Sequence, residues 1–233
     1  MSHPLLLSVE TATLAGSVAI SRGDEIAGVV SGDPAFSHSN TLLDDVDKLL
    51  SQTRIALSEI DLFAVATGPG SFTGLRIGLA TIKALAATLD RPAAGIPTLE
   101  AVALSGGVSD ATVALLPAGR GEVFTQLFSV SGPHTVEALD EAAHVPPARL
   151  FERYGQLESV IWCGPGAAVN RELIETQAKN HRGGRDWRVA PETTSLAVQV
   201  AKLALQRFKQ NELNDAYALR AIYVRPADAQ LKV

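Results

Sequence analysis

The residues with chemistry in reach are few and scattered. Glu10 closes the apolar run Leu5 to Val9, with Thr11 and Thr13 just after it. An acid at a strand end can hold a cation or accept a proton, and it can equally do no more than tie its own turn. The stretch Gly68-Pro69-Gly70-Ser71-Phe72-Thr73-Gly74 joins an apolar run to a helical pattern. Glycine there permits positive φ and close backbone approach, and Ser71 or Thr73 can cap the helix start. Free N–H groups at such a junction make an anion site. Spacing alone favours a plain strand-to-helix turn, because neither Gly-x-x-x-x-Gly-Lys-Ser/Thr nor Gly-x-Gly-x-x-Gly is present. His38 precedes a helical pattern, and without partners at ligand spacing a capping or surface role outweighs metal binding. Cys163 follows Trp162 in an apolar run and reads as a small buried hydrophobe rather than a nucleophile. His181-Arg182-Gly183-Gly184-Arg185, with Trp187 and Arg188, is a small basic cluster. A solvated loop is its plainer reading and a nucleic-acid contact the sharper one. Glu141 and His144 do not have the spacing of a zinc-protease helix.

These residues sit between periodic segments. Leu5 to Val9, Ser17 to Ile20 and Glu25 to Val30 read as strands, the last two joined at Arg22-Gly23-Asp24. Leu42, Leu43, Val46, Leu49 and Leu50 recur at helical spacing, with Asp44, Asp45, Asp47 and Lys48 opposite. Leu62 to Thr67 reads as a buried strand, Thr73 to Leu89 as a helix, Ala93 to Ile96 as a short strand and Thr98 to Leu104 as a helix. Ser105-Gly106-Gly107 marks a boundary. Thr112 to Leu116, the turn Ala118 to Gly121, and Val123 to Val130 then form a second hairpin. Val160 to Cys163 leads through Gly164-Pro165-Gly166 into a helix from Val169 to Ala178. A helix from Leu196 to Phe208 closes the second half, and Ala218 to Arg225 is extended, ending at Pro226. Strand, Gly-Pro-Gly and helix thus occur twice, each time after a hairpin, which indicates internal duplication.

The helix from Thr73 to Leu89 is unusual. Only Arg76 and Lys83 are charged. Leu75, Leu79, Ile82 and Leu89 cover one side; Ile77, Ala80, Thr81, Ala84 and Thr88 cover much of the other. A helix apolar on two sides is covered on two sides. One cover is its own sheet, and the second must be another helix of this chain or another chain.

At 233 residues there is room for one large domain or two lobes. A hydrophobic content of 46% and a charged content of 19% are those of a globular chain. A net charge of −5 argues against strong nonspecific nucleic-acid binding. The single cysteine excludes an internal disulfide and fits a reducing cytosol. No signal segment or membrane-length run is expected, which points to the cytoplasm.

Two sheet-plus-helix lobes, each opening with a hairpin, suggest the α/β actin, Hsp70 and sugar-kinase (ASKHA) architecture, with lobes at 1–107 and 108–233 and the C-terminal tail returning to the first. In that fold the hairpin turns face a nucleotide between the lobes. Glu10, Thr11, Thr13, Gly119, Gly164 and Gly166 would form the corresponding, vestigial, pocket.

Several runs resemble the bacterial TsaB (YeaZ) family: Glu10 to Thr13 with Ser17-Val18-Ala19, His38, Gly68 to Gly78, Gly121 to Phe124, and Tyr223-Val224-Arg225. The resemblance spans nearly the whole chain, and Gly-Pro-Gly-Ser-Phe-Thr-Gly-x-Arg-Ile-Gly is its specific part. It implies a non-catalytic, cytoplasmic subunit in formation of N6-threonylcarbamoyladenosine in tRNA. Such a subunit dimerises with the catalytic paralogue TsaD, joins the ATPase TsaE in the complex, and reaches tRNA only through that complex. The partner surface then falls on the helices Thr41–Ser51 and Thr73–Leu89, at Leu42, Val46, Leu49, Ile77, Ala80, Thr81, Ala84 and Thr88. A second copy takes the same surface when TsaD is absent. Departures matter as well. The residue four after His38 is Leu42, so the TsaD-type His-x-x-x-His pair is missing. Ala12 replaces the glycine of the phosphate turn. Pro117-Ala118-Gly119 stands where family members carry an Asp and an Arg. No cofactor is therefore expected, with weak ATP or ADP binding left open. Two other classes stay open: an ATP-dependent phosphotransferase, which the fold permits, and a glycopeptidase-type hydrolase, a label attached to the wider family.

Overall fold

The computed structural model describes residues 3–33, 38–180, 184–213 and 215–224. His181, Arg182, Gly183 and Arg225 lie outside them. The chain folds into two mixed sheets. The first contains β1 (Leu5–Glu10), β2 (Ser17–Arg22), β3 (Glu25–Ser31), β4 (Leu62–Gly68) and β5 (Ala93–Pro97), in the order β3-β2-β1-β4-β5. The second contains β6 (Ser109–Gly119), β7 (Glu122–Gly132), β8 (Thr135–Ala138), β10 (Ser159–Cys163) and β11 (Asp186–Val189), in the order β11-β10-β6-β7-β8, with β9 (Ala143–Val145) also pairing with β7. In both sheets an antiparallel hairpin is followed by a parallel strand: β4 beside β1, and β10 beside β6.

Alternation along β1 explains the layers. Leu5, Leu7 and Val9 point to one face and pack with Leu42, Val46 and Leu49 of α1 (His38–Thr53) and Leu79, Ile82 and Ala86 of α2 (Phe72–Leu89). Leu6 points to the other face, into a core shared with α3 (Thr98–Ser105), α7 (Ala197–Lys209) and the inward side chains of the second sheet, Ala114, Leu116, Phe128 and Val130. A third core lies under α4 (Arg149–Tyr154), α5 (Pro165–Val169) and α6 (Arg171–Asn180), around Trp162, Tyr154 and Ile174. The molecule is thus five layers deep: helices, sheet, helices, sheet, helices.

The two middle helices have changed sides. Helix α3 follows the first sheet but packs on β6, β7, β8 and β10 as well as on β4 and β5. Helix α7 follows the second sheet but packs on β1, β2, β4 and β5 of the first. The expectation that Leu196 to Phe208 would close the second half is corrected here. Its apolar stripe of Val200, Ala201, Leu203 and Ala204 fits the bare inner face of the first sheet. Two serines hold its start: Ser8 Oγ donates to Ala197 O at 2.8 Å, and Ala197 N donates to Ser17 Oγ at 3.0 Å.

Two further expectations change. The helix expected from Val169 to Ala178 is broken at its start: α5 ends at Val169, Asn170 caps it with its side chain donating to Gly166 O at 2.8 Å, and α6 begins at Arg171. Helix α2, at 18 residues, is long and apolar enough to cross a membrane by length and composition alone. Six of its residues, Gly74, Leu75, Gly78, Leu79, Ile82 and Ala86, are buried in the molecule. After α7 the chain returns to the first sheet's outer layer through a 3₁₀ turn, Ala216–Ala218, burying Ala216 and Leu219.

Candidate functional site

Both hairpins and both Gly-Pro-Gly turns lie at the carboxyl ends of parallel strands, where open α/β sheets leave a crevice. A cleft of about 700 Å³ opens there between the sheets. Glu10, Thr13 and Gly164 line it. Glu10 is 1% exposed. Its carboxylate accepts from Thr13 N at 2.6 Å and from Thr13 Oγ1 at 2.7 Å, so it ties the hairpin turn.

The other pocket candidates are placed elsewhere. Thr11 turns its hydroxyl away, donating to Gly74 O at 2.8 Å, and any side chain at Gly78 would overlap it. Gly119 sits exposed in the β6–β7 turn, where Gly119, Arg120 and Gly121 all have positive φ, and it does not line the cleft. Gly166 is buried against Leu115, 2.8 Å from that residue's carbonyl carbon at the position a Cβ would occupy. Sequence reasoning missed the far wall, made by Leu14, Val169, Ser105 and the segment Glu192–Leu196. That segment is irregular backbone, with no periodicity to reveal it; Ser31 Oγ holds it by donating to Thr194 O at 2.8 Å.

Nucleotide phosphates need cationic side chains, a metal or free backbone N–H groups. Among the described residues the charged groups lining the cleft are Glu10 and Glu192, both acids, and no Lys, Arg or His lines it. Phosphates would face like charge without a counter-cation. Ala12 fills the place of closest backbone approach: Ser71 N donates to its carbonyl at 2.8 Å, and its Cβ lies 2.7 Å from where a Cβ on Gly70 would be. Among the described residues no group of three or more His, Cys, Asp and Glu side chains converges to hold a metal. Cys163 is buried and donates to Val102 O at 3.3 Å; burial pushes its thiol pKa well up, which keeps the sulfur protonated. Trp187 is used internally, donating to Leu157 O at 2.9 Å and stacking on Phe151.

The expected partner helices divide sharply. Leu42, Val46 and Leu49 are 5%, 5% and 0% exposed, because they face the chain's own sheet. They are corrected from surface to core, and Leu43, 64% exposed, is what α1 offers instead. On α2, Ile77 and Thr81 are half-buried, with Ile77 on the cleft wall, while Ala80, Ala84 and Thr88 are exposed. Ser71 caps the helix, accepting from Gly74 N at 3.2 Å.

The fold and its cleft define an actin-like two-lobed protein. (R)-2-hydroxyglutaryl-CoA dehydratase component A from Acidaminococcus fermentans superposes with a TM-score of 0.52 at 9% identity, over 89% of this chain and 98% of its own. YeaZ from Pseudomonas aeruginosa superposes with a TM-score of 0.76 at 25% identity, over 96% of this chain and all of its own. The tRNA threonylcarbamoyladenosine biosynthesis protein TsaB of Bacillus subtilis is 26% identical over 97% of this chain and 96% of its own. A tRNA N6-adenosine threonylcarbamoyltransferase from Chelativorans is 32% identical over 62% of this chain, but this chain spans only 37% of it. The family model described as TsaD: tRNA N6-adenosine threonylcarbamoyltransferase matches residues 14–225. The chain belongs to that family, and within it to the TsaB (YeaZ) members.

Proposed function

We propose that this chain is a cytoplasmic, non-catalytic subunit for N6-threonylcarbamoyladenosine formation in tRNA. It binds and activates the transferase subunit TsaD, joins TsaE in the assembly, reaches tRNA through it, and self-associates when TsaD is absent. The observation that carries this is the exposed row of small, uncharged residues on α2, Ala80, Ala84 and Thr88, on a helix that also packs on its own sheet. Small side chains let a second helix approach closely, and stable interfaces bury about 1,200–2,000 Å². The acid-lined cleft supports the other half of the proposal: the chain needs no nucleotide or metal of its own and does no phosphotransfer or peptide cleavage.

Ala84→Glu tests it. A carboxylate placed in a helix–helix contact is desolvated without a counter-ion, at a cost of about 3 kcal/mol or more. Self-association by light scattering, binding to TsaD and TsaD-dependent modification of tRNA should all fall together, with the circular dichroism of a folded chain retained. A folded Ala84→Glu chain that assembles and supports modification like wild type would refute the proposal.

A further inference from the structure

We propose that Phe72, Arg76 and Tyr223 form the anchor of the partner surface. The subunit they receive presents a helix with small side chains over Ala80 and Ala84 and a carboxylate to Arg76. This inference rests on the reading of α2 as the partner helix.

Phe72, Arg76, Ala80, Ala84 and Thr88 follow one another at intervals of four, so they form one i±4 ridge, and every one of them is exposed. The ridge is uneven. Its first turn carries the Arg76 guanidinium 3.8 Å from the centroid of the Phe72 ring. Phe72 in turn lies 5.6 Å from the Tyr223 ring, tilted by 42°. Both aromatic residues are 53% exposed. The rest of the ridge carries no side chain longer than threonine. A facing helix can settle closely over the alanines, and its end then meets the stack. Aromatic residues and arginine are the residues that most often dominate binding energy, and a stack already formed leaves less ordering to be done on association.

The stack joins the start of α2 to the segment that returns after α7. Tyr223 is positioned by the returning segment, in which Ile222 N donates to Thr67 O at 2.7 Å and Leu219 is 2% exposed. Any Cβ on Gly68 would meet Ile222 O at 2.5 Å, so the glycine turn and the C-terminal segment fit each other. Arg76 sets the charge that the partner must match. Arg76 takes part in no salt bridge among the described residues. A guanidinium held over a ring face can still offer N–H groups to a carboxylate. RNA fits less well: the chain carries a net charge of −5, and the guanidinium of the nearby Arg220 is held by the carbonyls of Tyr217 and Leu219.

The test is titration calorimetry of the full chain against purified TsaD, with tRNA binding by the isolated chain followed by fluorescence anisotropy. Phe72→Ala and Tyr223→Ala should each weaken TsaD binding at least about tenfold. Arg76→Glu should weaken it further and remove part of its salt dependence. Arg76→Lys, which keeps the charge and loses the planar stack, should fall between wild type and Arg76→Glu. If Ala84→Glu abolishes binding while Phe72→Ala, Tyr223→Ala and Arg76→Glu bind like wild type, the anchor is wrong and the helix reading stands. If Ala84→Glu itself binds normally, the parent reading has failed. Loss of tRNA binding in the ring variants, with TsaD binding intact, overturns the protein anchor in favour of RNA.

Discussion

Gly68-Pro69-Gly70 after β4 and Gly164-Pro165-Gly166 after β10 are the same three residues at matching places in the two sheets, and their surroundings differ. At the first turn, a Cβ on Gly68 would meet Ile222 O and one on Gly70 would meet Ala12 O at 2.6 Å. Three distant segments converge there. At the second, Gly164 and Gly166 both press on the backbone of Leu115 inside their own sheet. The helices diverge accordingly. The first turn launches α2, which runs 18 residues with one face left open, and the second launches α5, which stops after 5. Duplication preserved the join; what covers the helix decides how far it runs and what it shows to solvent.

This contrast can be attacked directly. Gly164→Ala should have the largest effect. It puts a side chain at φ +92°, 2.5 Å from Leu115 O and 2.6 Å from Val102 Cγ1, where nothing can yield cheaply. A loss of about 3 kcal/mol or more is expected in urea unfolding. Gly70→Ala, at φ +155°, presses on Ala12 alone rather than on two neighbours, and should cost less, about 1–2 kcal/mol, while disturbing the start of α2. Equal losses at the two sites would remove the distinction between a junction and an internal turn.

A smaller effect separates the lobes by their polar groups. Asp140 joins three parts of the second lobe: it accepts from Leu127 N at 2.7 Å, from Arg153 Nε at 2.8 Å and from the Tyr154 hydroxyl at 3.1 Å. Asp140→Ala should cost about 2–3 kcal/mol, because it strands several partly buried donors at once. Glu10→Gln in the first lobe keeps an acceptor for Thr13 and should cost less, so the reverse order would show that the cleft acid is the more important support.

The smallest effect is a pH dependence. Burial is the main cause that pushes the Tyr154 hydroxyl up to about 12 from its ordinary 10. Its pKa is higher in the folded chain than in the unfolded one. The stability it contributes is therefore complete below pH 10 and lost as pH rises through about 12. Unfolding followed between pH 9 and about 12 should show that loss in wild type and a flatter profile in Tyr154→Phe.

Much of this architecture was legible. The hairpins, both parallel strands, α2 and the doubled Gly-Pro-Gly join follow from hydrophobic period and turn residues, which are local signals. The side on which a helix packs is not local. The stripe of α7 says that it needs an apolar sheet, and nothing in it says which one. Likewise Leu42, Val46 and Leu49 mark a helix face correctly, yet the same apolar stripe serves a core or a partner. Only their burial at 5%, 5% and 0% decides between the two. In the cleft, Glu10 and Gly164 were found through their turns, whereas Glu192 to Leu196 had neither period nor motif. The basic run at His181 to Gly183 lies outside the described residues, while its neighbour Arg185 pairs with Glu158.

The exchange of α3 and α7 between the sheets sets a timetable for synthesis. The five strands of the first sheet are complete once Pro97 has been made, and α3 follows at once, but the cover from α7 is complete only at Lys209, 112 residues after Pro97 (209 − 97). At ~5–20 residues per second the ribosome needs on the order of ten seconds for that stretch. Throughout it, Leu6, Leu62, Ala64 and Ile96 have no cover from α7. The amino-terminal half is therefore a client rather than a finished unit while translation proceeds. Its contacts are of high order, and its folding waits on α7, which is made only when about nine-tenths of the chain has been synthesised.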